Sequence, residues 1–406
     1  MKWLKKKNII RQGALTMRNN FLKFTFWKVV GVIIIVAGLV STYIRFTKGL
    51  GATTNLSDAF PWGIWIGFDM LCGVGLAAGG FTLCAVTHIF NIEKFKPLTR
   101  PAILTAFLGY VLAICGLMFD LGRPWDIWHA IIMWNPHSVM FEVAWCVMLY
   151  TTVLFLEFSP IILERFKLAK LLKIMKLVAI PIMMLGILLS TLHQSSLGSL
   201  YLIIPEKMHP LWYSPLLPVY FYLSAISAGF AMVIFESYLS ARAFNHGLKI
   251  NLLSTCGLIS FIFILVNFVL KIVYLIVSGK LQYLMVPSST TYLFYLEILL
   301  GTIVPSFFLS SKKFRENKKY LYFSSLFIIA GFLLNRMNVS VTALAAMTTA
   351  TYFPSVYEIS VTLMLCTAGM WAFKFLSANF PVFEEEEKSD LVIVPNSKPL
   401  TLSELK

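Results

Sequence analysis

The stretch "FDLGRPWDIWHAIIMWNPHSVMFE", residues 119–142, decides the fold because it separates two long apolar runs. It holds two Asp, one Arg, two His, one Glu and three Trp, and such ionisable groups are costly to bury in lipid. Each flanking run has about 20 residues, which is enough to cross a hydrocarbon core of roughly 30 Å. The stretch is therefore predicted to be a polar loop between two transmembrane helices.

The whole chain has the composition of a helical membrane protein. Of its 406 residues, 58% are hydrophobic and 13% are charged, whereas about 25% of a soluble domain is charged. Apolar runs of membrane-spanning length recur throughout, so we predict an all-α polytopic protein of the bacterial cytoplasmic membrane with about ten transmembrane helices. The predicted spans are 26–46, 62–89, 101–121, 138–158, 174–193, 216–240, 251–278, 291–311, 320–339 and 355–377.

The basic residues predict the orientation of these helices. With both termini cytoplasmic, 27 of the 34 Lys and Arg residues fall on inner segments and 6 on outer segments, and Lys271 falls within a helix. Inner loops of membrane proteins carry this excess, so the net charge of +15 indicates topology rather than nucleic-acid binding. Residues 1–25 are then a cytoplasmic basic N-terminus, 26–377 the transmembrane domain, and 378–406 a cytoplasmic acidic tail without a packed core.

A weak internal repeat predicts how the helices are grouped. The segments "LLSTLHQS" (188–195) and "LLNRMNVS" (333–340) end the fifth and ninth helices, while "SVMFE" (138–142) and "TYLFYLE" (291–297) open the fourth and eighth. Because four helices restore the orientation, residues 62–193 and 216–339 are predicted to form two parallel four-helix bundles, flanked by helices 1 and 10. Chance similarity between apolar segments is the alternative interpretation.

Four consecutive predicted helices, the second to the fifth, each supply one ionisable residue near the outer side. These residues are Asp69, Asp120, Glu142 and His193. Ionisable groups inside a membrane usually mark a functional site, and carboxylates in apolar surroundings can pass protons near neutral pH. The structural alternative is a helix cap or an ion pair, for example between Asp120 and Arg123.

The small-residue run "CGVGLAAGG" (72–80) lies further along the second helix. Small residues let another helix, or a flat ligand, approach a helix closely. Helix packing is the favoured interpretation.

The cysteines and histidines argue against a redox centre in this chain. All six Cys lie in apolar runs and none forms a C-x-x-C pair, so no iron–sulfur cluster, attached haem or zinc site is expected. Of the six His, only His88 and His193 fall in helices, and they lie on opposite sides of the membrane. A pair of axial His ligands for haem b is therefore not expected either.

Eight separate motifs, in order from about Phe60 to Trp371, resemble the NrfD/polysulfide-reductase membrane subunit family. The closest resemblance is to its HybB branch, which contains the membrane subunits of some nickel–iron hydrogenases. The motifs are "FPWGIWIGFDMLCGVGLAAGGF", "RPAILTAFLGY", "DLGRPW", "SVMFEVAWCVMLY", "LEFSP", "LHQSSLGSL", "WYSPLLPVYFYLSAISAGFAMVIFES" and "YFPSVYEISVTL".

This resemblance implies a cofactor-free subunit that binds menaquinone or ubiquinone as substrate in the first bundle, near the outer side. The implied electron partner is an extracytoplasmic ferredoxin-like iron–sulfur subunit, joined to a hydrogenase, another redox enzyme or a multihaem cytochrome c. By resemblance, Glu142 and Asp69 match positions implicated in quinone-linked proton transfer, and His193 matches a motif on the same face. The resulting expected quinone-binding residues are Asp69, Gly73, Asp120, Arg123, His137, Ser138, Glu142 and His193.

Two other functions fit parts of the pattern. A secondary transporter would also have many spans, a repeat and membrane carboxylates, but its helices are typically interrupted near the mid-membrane, and here unbroken helices are predicted. A passive membrane anchor for an extracytoplasmic redox enzyme has no need of buried acids.

Overall fold

A computed structural model describes residues 25–89, 92–244, 247–348 and 352–383. The predicted basic N-terminus and acidic tail lie almost wholly outside these residues. Within them, ten helices are long and apolar enough to cross a membrane, so the predicted all-α polytopic membrane fold is confirmed. The helices are α1 (Phe26–Lys48), α2 (Trp65–Ile89), α3 (Glu93–Asp120), α4 (Val139–Phe166), α5 (Ala169–Ile203), α6 (Leu217–Ala243), α7 (Ile250–Val277), α8 (Ser289–Ser310), α9 (Lys318–Ala345) and α10 (Val356–Asn379).

Most of these helices extend beyond the predicted spans. The fifth was predicted over 174–193, whereas α5 is Ala169–Ile203. An apolar window detects only the part of a helix inside the hydrocarbon, while backbone hydrogen bonding continues through the polar ends. The predicted bounds were therefore too short for most helices, whereas α2 begins three residues later than predicted.

We call α2 to α5 the first helix group and α6 to α9 the second. Within each group, neighbouring helices pack against one another, and α10 packs against α1 and α3. The two groups meet where α5 packs against α6 and where α2 crosses α6. A Cβ placed on Gly229 would lie 2.6 Å from the backbone N of Gly79, so only glycine permits this crossing. The run 72–80 thus serves helix packing, whereas the bundle boundaries at residues 62–193 and 216–339 stay a prediction.

Three of the helices contain local irregularities that the sequence analysis did not predict. Four segments have π-helical hydrogen bonding: Trp65–Met70 and Ala85–Ile89 in α2, Leu299–Ile303 in α8, and Asn338–Thr342 in α9. A π turn holds an extra residue, which rotates the following side chains and often occurs at functional sites. Hydropathy averaged over a whole span cannot reveal such turns.

The start of α10 is tied to the loop before α2 by the buried carboxylate of Glu358. Here and below, the outer side is the side of the membrane on which the predicted orientation places the starts of α2, α4 and α10. Its Oε2 accepts hydrogen bonds from the backbone N–H groups of Ser355 (2.8 Å) and Asn55 (3.2 Å). Its Oε1 accepts one from the Tyr352 hydroxyl at 2.6 Å. Ser355 and Glu358 together form a capping box, which satisfies the first free amides of α10. The loop that leads into α2 is therefore fixed in position.

Two of the six basic residues assigned to outer segments lie inside the protein. Arg45 is buried near the end of α1, where its guanidinium donates to the carbonyl oxygens of Phe119 and Leu121, both at 2.8 Å. A cation at the C-terminus of a helix satisfies free carbonyls and the helix dipole. Arg336 is buried within α9. The outer surface is therefore poorer in positive charge than the sequence count suggests.

Candidate functional site

Glu142 lies in the first turn of α4, close to its outer end. Ser138 caps this helix by accepting a hydrogen bond from the Phe141 backbone N–H at 3.4 Å. The Glu142 side chain is partly buried, and its Oε1 accepts a hydrogen bond from the Ser196 hydroxyl of α5 at 2.6 Å. The acid is thus held between α4 and α5 while part of it stays accessible.

His193 is the centre of a buried polar cluster, which we define as His193, Ser190, Tyr110 and Tyr150. The His193 ring is fully buried, and its centroid lies 5.6 Å from that of Tyr110 on α3. Tyr110 in turn makes an edge-to-face contact with Tyr150 on α4 at 4.6 Å. Both ring nitrogens of His193 are buried without a hydrogen bond to the protein, and the three hydroxyl oxygens are buried near one another without a hydrogen bond of good geometry. Such groups are rare in folded proteins and especially costly in lipid, so the cluster is suited to bind a polar ligand.

The buried polar cluster lies deeper than Glu142 along α4 and α5, on adjoining helix turns. Ser196 follows His193 by three residues, which corresponds to about 4.5 Å along α5. Tyr150 follows Glu142 by eight residues, so both lie on one face of α4. The structure therefore brings Glu142 and His193 to neighbouring levels of one interface between α4 and α5.

Asp69 faces a different interface. It lies in the π-helical segment Trp65–Met70, is buried, and accepts a hydrogen bond from the Thr362 hydroxyl of α10 at 2.7 Å. On its other side, a Cβ on Gly116 of α3 would lie 2.6 Å from the Asp69 Cβ. Among the described residues, no hydrogen bond joins Asp69 to Glu142 or His193. The π turn gives the physical reason, because the extra residue turns this part of α2 towards α3 and α10.

The other predicted residues lie at the rim or in helix contacts. Asp120 ends α3 with its Oδ1 buried and unbonded, and no ion pair within the described ranges joins it to Arg123. The side chains of Arg123 and His137 are exposed in the outer loop. Gly73 rests against α3, where a Cβ would lie 3.7 Å from the Ala113 Cβ. These positions do not form the compact binding site that the sequence suggested.

An aromatic group lies beside Glu142 at the outer start of α4. The ring of Trp134 is 4.7 Å from that of Trp145 and 5.9 Å from that of Phe141. Trp145 also donates from its Nε1 to the Ala130 carbonyl at 2.6 Å. This bond fastens the short helix of the outer loop to α4, so flat aromatic faces stay close to the acid.

Sequence reasoning missed the hydroxyl-bearing members of the site. Tyr150 and Ser196 could have been found from helical periodicity, since they lie eight residues after Glu142 and three after His193. Tyr110 and Ser190 needed the packing of α3 against α4 and α5. Thr362 gave no signal at all, because nothing in a sequence shows that α10 packs beside the π turn of α2.

The corresponding region of the second group of helices is saturated with hydrogen bonds. Glu297 of α8 accepts from Lys271 Nζ (2.8 Å) and Asn335 Nδ2 (2.7 Å) at Oε1. At Oε2 it accepts from Trp212 Nε1 (2.9 Å) and Asn338 Nδ2 (3.0 Å). The acid is 4% exposed, so this carboxylate is a closed structural centre.

Arg336 belongs to the same centre. Its guanidinium donates to the Phe221 carbonyl (3.1 Å), the Ser224 hydroxyl (2.8 Å) and Asn335 Oδ1 (2.8 Å), and lies 3.6 Å from the centroid of the Phe221 ring. Hydrogen bonds and a cation–π contact together compensate its burial.

Metal binding would require several His, Cys, Asp or Glu side chains close together. No group of three or more His, Cys, Asp or Glu side chains in residues 25–89, 92–244, 247–348 and 352–383 is placed to hold a metal ion. His88 is near the end of α2, whereas His193 is in the last third of α5. The expectation of a chain without haem or iron–sulfur clusters stays a prediction.

Comparison with known proteins points to a single family. The family model described as "Polysulphide reductase, NrfD" matches residues 52–348. The probable Ni/Fe-hydrogenase 2 b-type cytochrome subunit of Escherichia coli is 34% identical, over 85% of this chain and 89% of that protein. The menaquinone reductase integral membrane subunit of Nitratidesulfovibrio vulgaris is 36% identical over 45% of each chain. A selenate reductase subunit of Mesobacillus selenatarsenatis is 27% identical, over 62% of this chain and 64% of that protein.

Proposed function

Because this chain belongs to the NrfD family, we propose that it is the quinone-binding membrane subunit of a respiratory oxidoreductase complex. In this role it passes electrons between the membrane quinone pool and an extracytoplasmic iron–sulfur partner, with coupled proton transfer. The observation that carries the proposal is the buried polar cluster around His193, whose nitrogen and hydroxyl atoms make no hydrogen bonds of good geometry within the protein.

A quinone head fits the chemistry of this cluster. Ligand sites of this kind are mostly apolar and contain a few polar groups that fix the ligand. A quinone presents two carbonyl oxygens on a flat ring, and a quinol presents two hydroxyl groups. Tyr110 and Tyr150 can donate to carbonyl oxygens or accept from hydroxyls, and His193 can do both through its two nitrogens. The aromatic faces beside Glu142 suit the entry of a flat ring.

Glu142 has the position required for the proton step. Quinol oxidation releases two electrons and two protons, and quinone reduction takes up the same number. Since side chains cannot store the electrons, these must pass to or from a redox group in the partner. Glu142 contacts Ser196 on the turn next to His193 and stays partly accessible near the outer end of α4, so we assign it the transfer of protons between the ring and the outer side. We assign His193 to the ring oxygen, and Asp69 to a supporting role from the α3 and α10 side.

The quinone is proposed to be menaquinone, and the partner a redox enzyme on the outer side. The first point is supported by the relative named as a menaquinone reductase subunit. The second is supported by the relatives named as subunits of hydrogenase and selenate reductase. Such a partner must bring its terminal redox group close to the first helix group, near Glu142.

The outer loop between α3 and α4 is the proposed docking surface for that partner. Trp125, Trp128 and Trp134 are 65%, 49% and 66% exposed. Part of this aromatic surface can serve as an interfacial belt. Exposed aromatic groups are also enriched in protein interfaces.

Cross-linking tests the docking surface. We expect a Trp128→Cys variant, treated with a short bifunctional cross-linker in the intact complex, to capture an extracytoplasmic redox subunit. A Lys170→Cys variant, at the opposite end of the helices, serves as the matched control and is expected to capture none. Capture of the redox subunit from residue 170 alone would place the partner in the cytoplasm and overturn the electron path.

The proposed orientation places both termini in the cytoplasm, as the distribution of Lys and Arg indicates. We expect alkaline phosphatase fused after residue 406 to be inactive, and a fluorescent protein at the same position to be active. The same pair of reporters inserted in the loop between α3 and α4 should give the opposite result. An active phosphatase at the C-terminus would contradict the orientation.

Neither alternative function is favoured by the structure. Transporters use unwound helix breaks to coordinate substrate, whereas the interruptions in α2, α8 and α9 keep π-helical hydrogen bonds. A passive anchor would gain nothing from a buried cluster of polar atoms without good hydrogen bonds, because each such atom destabilises the fold.

A further inference from the structure

The second helix group, α6 to α9, contains a cavity that is separate from the buried polar cluster of the first group. This cavity of about 50 Å³ lies between α6, α7, α8 and α9. Its polar lining comes from Ser224 and Ser227 of α6, Asn267 and Lys271 of α7, Glu297 and Thr302 of α8, and Asn335 of α9. Polar side chains converge here from four helices inside the membrane-spanning region, which is costly unless they have a structural or binding role.

Asn267 differs from the charged members of this lining because one of its buried polar atoms has no hydrogen bond. Glu297, Lys271 and Asn335 satisfy one another, so they need no ligand. The Oδ1 atom of Asn267 is buried and makes no hydrogen bond with the protein. An amide in this position offers one acceptor and two donors, which suits a ligand that carries a carbonyl or hydroxyl group.

An apolar groove between α7 and α8 adjoins the polar cavity. Phe268 and Ile298 line both spaces. The groove has a volume of about 510 Å³ and is lined otherwise by aliphatic and aromatic side chains, among them Ile272, Tyr292 and Ile303. Tyr292 and Ile303 are 62% and 54% exposed, so the groove opens towards the lipid. A polar pocket beside an apolar groove matches a molecule with a small polar head and a hydrocarbon tail.

The depth of Asn267 distinguishes between membrane amphiphiles. It lies ten residues from the end of α7 at Val277, which corresponds to about 15 Å along the helix. The helix is longer than the hydrocarbon layer, but this position is still well below the headgroup region. A phospholipid would have to draw a charged headgroup into the hydrocarbon, which is unfavourable. A neutral ring with two oxygens on an isoprenoid tail can reside at this depth.

The two helix groups also share a local plan. Ser138 and Ser288 cap α4 and α8 in the same way, each by accepting from the backbone N–H three residues later. The acid that follows is bonded by the next helix, Glu142 by Ser196 of α5 and Glu297 by Asn335 of α9. The second group is therefore built on a frame like that of the first, although its acid is saturated.

We propose that the cavity at Asn267 binds the head of a second isoprenoid quinone or quinol, with its tail in the groove between α7 and α8. The Asn267 amide bonds one ring oxygen, as acceptor to a quinol hydroxyl or as donor to a quinone carbonyl. The saturation of Glu297 leaves no free carboxylate for proton transfer there. The site is thus a binding site for the membrane pool that is separate from the proposed site of electron exchange.

Photolabelling of the intact complex in nanodiscs tests this proposal, with an azido-menaquinone as the probe and mass spectrometry to locate the label. We expect labelled peptides from α7 or α8 in addition to those from α3 to α5. Asn267→Leu, which removes the amide at similar size, should lower the α7–α8 label at least about fivefold, a change of roughly 1 kcal/mol. Ile272→Trp, which fills the groove, should do the same. Val273→Trp is the matched control, since this neighbouring side chain is exposed but does not line the groove, and should keep the label.

The label on α3 to α5 shows that each variant is folded, and the two sites can fail independently. His193→Phe should remove the α3–α5 label and keep the α7–α8 label. Absence of an α7–α8 label in the unmodified protein would overturn the second site. Persistence of that label in both Asn267→Leu and Ile272→Trp would show partitioning from bulk lipid and would overturn it equally.

Discussion

Glu142→Gln is expected to lower quinone-linked turnover of the intact complex by at least about 100-fold, the usual loss when a proton-transferring group is removed. The amide keeps the shape of the side chain and can still accept from the Ser196 hydroxyl, which lies 2.6 Å from Glu142 Oε1. What it loses is the proton that the carboxyl group takes up and releases. Turnover with a quinol analogue, compared with the amount of complex in the membrane, measures the effect.

Two matched variants make this result specific. Glu316→Gln changes an exposed acid at the far end of α8 and should leave turnover within about twofold. Ser196→Ala keeps the carboxyl group of Glu142 but removes its hydrogen bond, so an intermediate loss of about tenfold is expected from a misplaced acid. Turnover of Glu142→Gln close to that of the unmodified protein, in a complex of normal abundance, would show that the acid only supports the structure.

Lys271→Met is expected to destabilise the protein by about 3 kcal/mol, at the lower end of the range for breaking a buried ion pair. The Lys271 and Glu297 side chains are 17% and 4% exposed, and their charged atoms lie 2.8 Å apart. Methionine fills the space of lysine but leaves the carboxylate of Glu297 without a counter-charge. Three hydrogen bonds from Trp212, Asn335 and Asn338 remain, so we expect a loss of stability at the lower end of that range. Unfolding in mixed micelles with increasing dodecyl sulfate measures the loss.

The double variant Lys271→Met/Glu297→Gln should recover more than half of that loss, because it removes both charges while Gln keeps hydrogen-bonding capacity. Lys312→Met is the control: this side chain is 79% exposed, and its ion pair with Glu316 spans 3.7 Å, so we expect less than about 1 kcal/mol. Equal stability of Lys271→Met and Lys312→Met would mean that the buried pair is not a structural centre.

The sequence predicts well those features that depend on short-range regularity. Helix number follows from apolar length, and the place of Glu142 follows from its spacing after the capping residue Ser138. The sequence does not predict features that depend on how the helices pack against one another. Depth in the membrane and the family resemblance group Asp69 with Glu142 and His193, but in the structure Asp69 lies in a π turn and bonds to Thr362 on α10. Arg336 was counted with the outer segments, but its guanidinium is buried in the protein. It lies over the Phe221 ring and donates to the Phe221 carbonyl.

The contrast between the two helix groups could not have been predicted either. Both carry a carboxylate in the first half of the third helix of the group, and neither helical spacing nor hydropathy distinguishes the hydrogen bonding of Glu142 from that of Glu297. Hydrogen-bond partners from several helices separate them. Glu297 has four donors, whereas the cluster beside Glu142 keeps five polar atoms without a hydrogen bond of good geometry on His193, Ser190, Tyr110 and Tyr150.

The central claim is that a quinone head binds in the first helix group, at the buried polar cluster. A cryo-electron microscopy map of the intact complex purified with its native quinone tests this most directly. We predict density for a flat ring between α3, α4 and α5, with one ring oxygen within about 3 Å of a His193 nitrogen and its edge towards Glu142. A map that shows this cluster closed by protein side chains or ordered water, with the quinone bound elsewhere, would contradict the account.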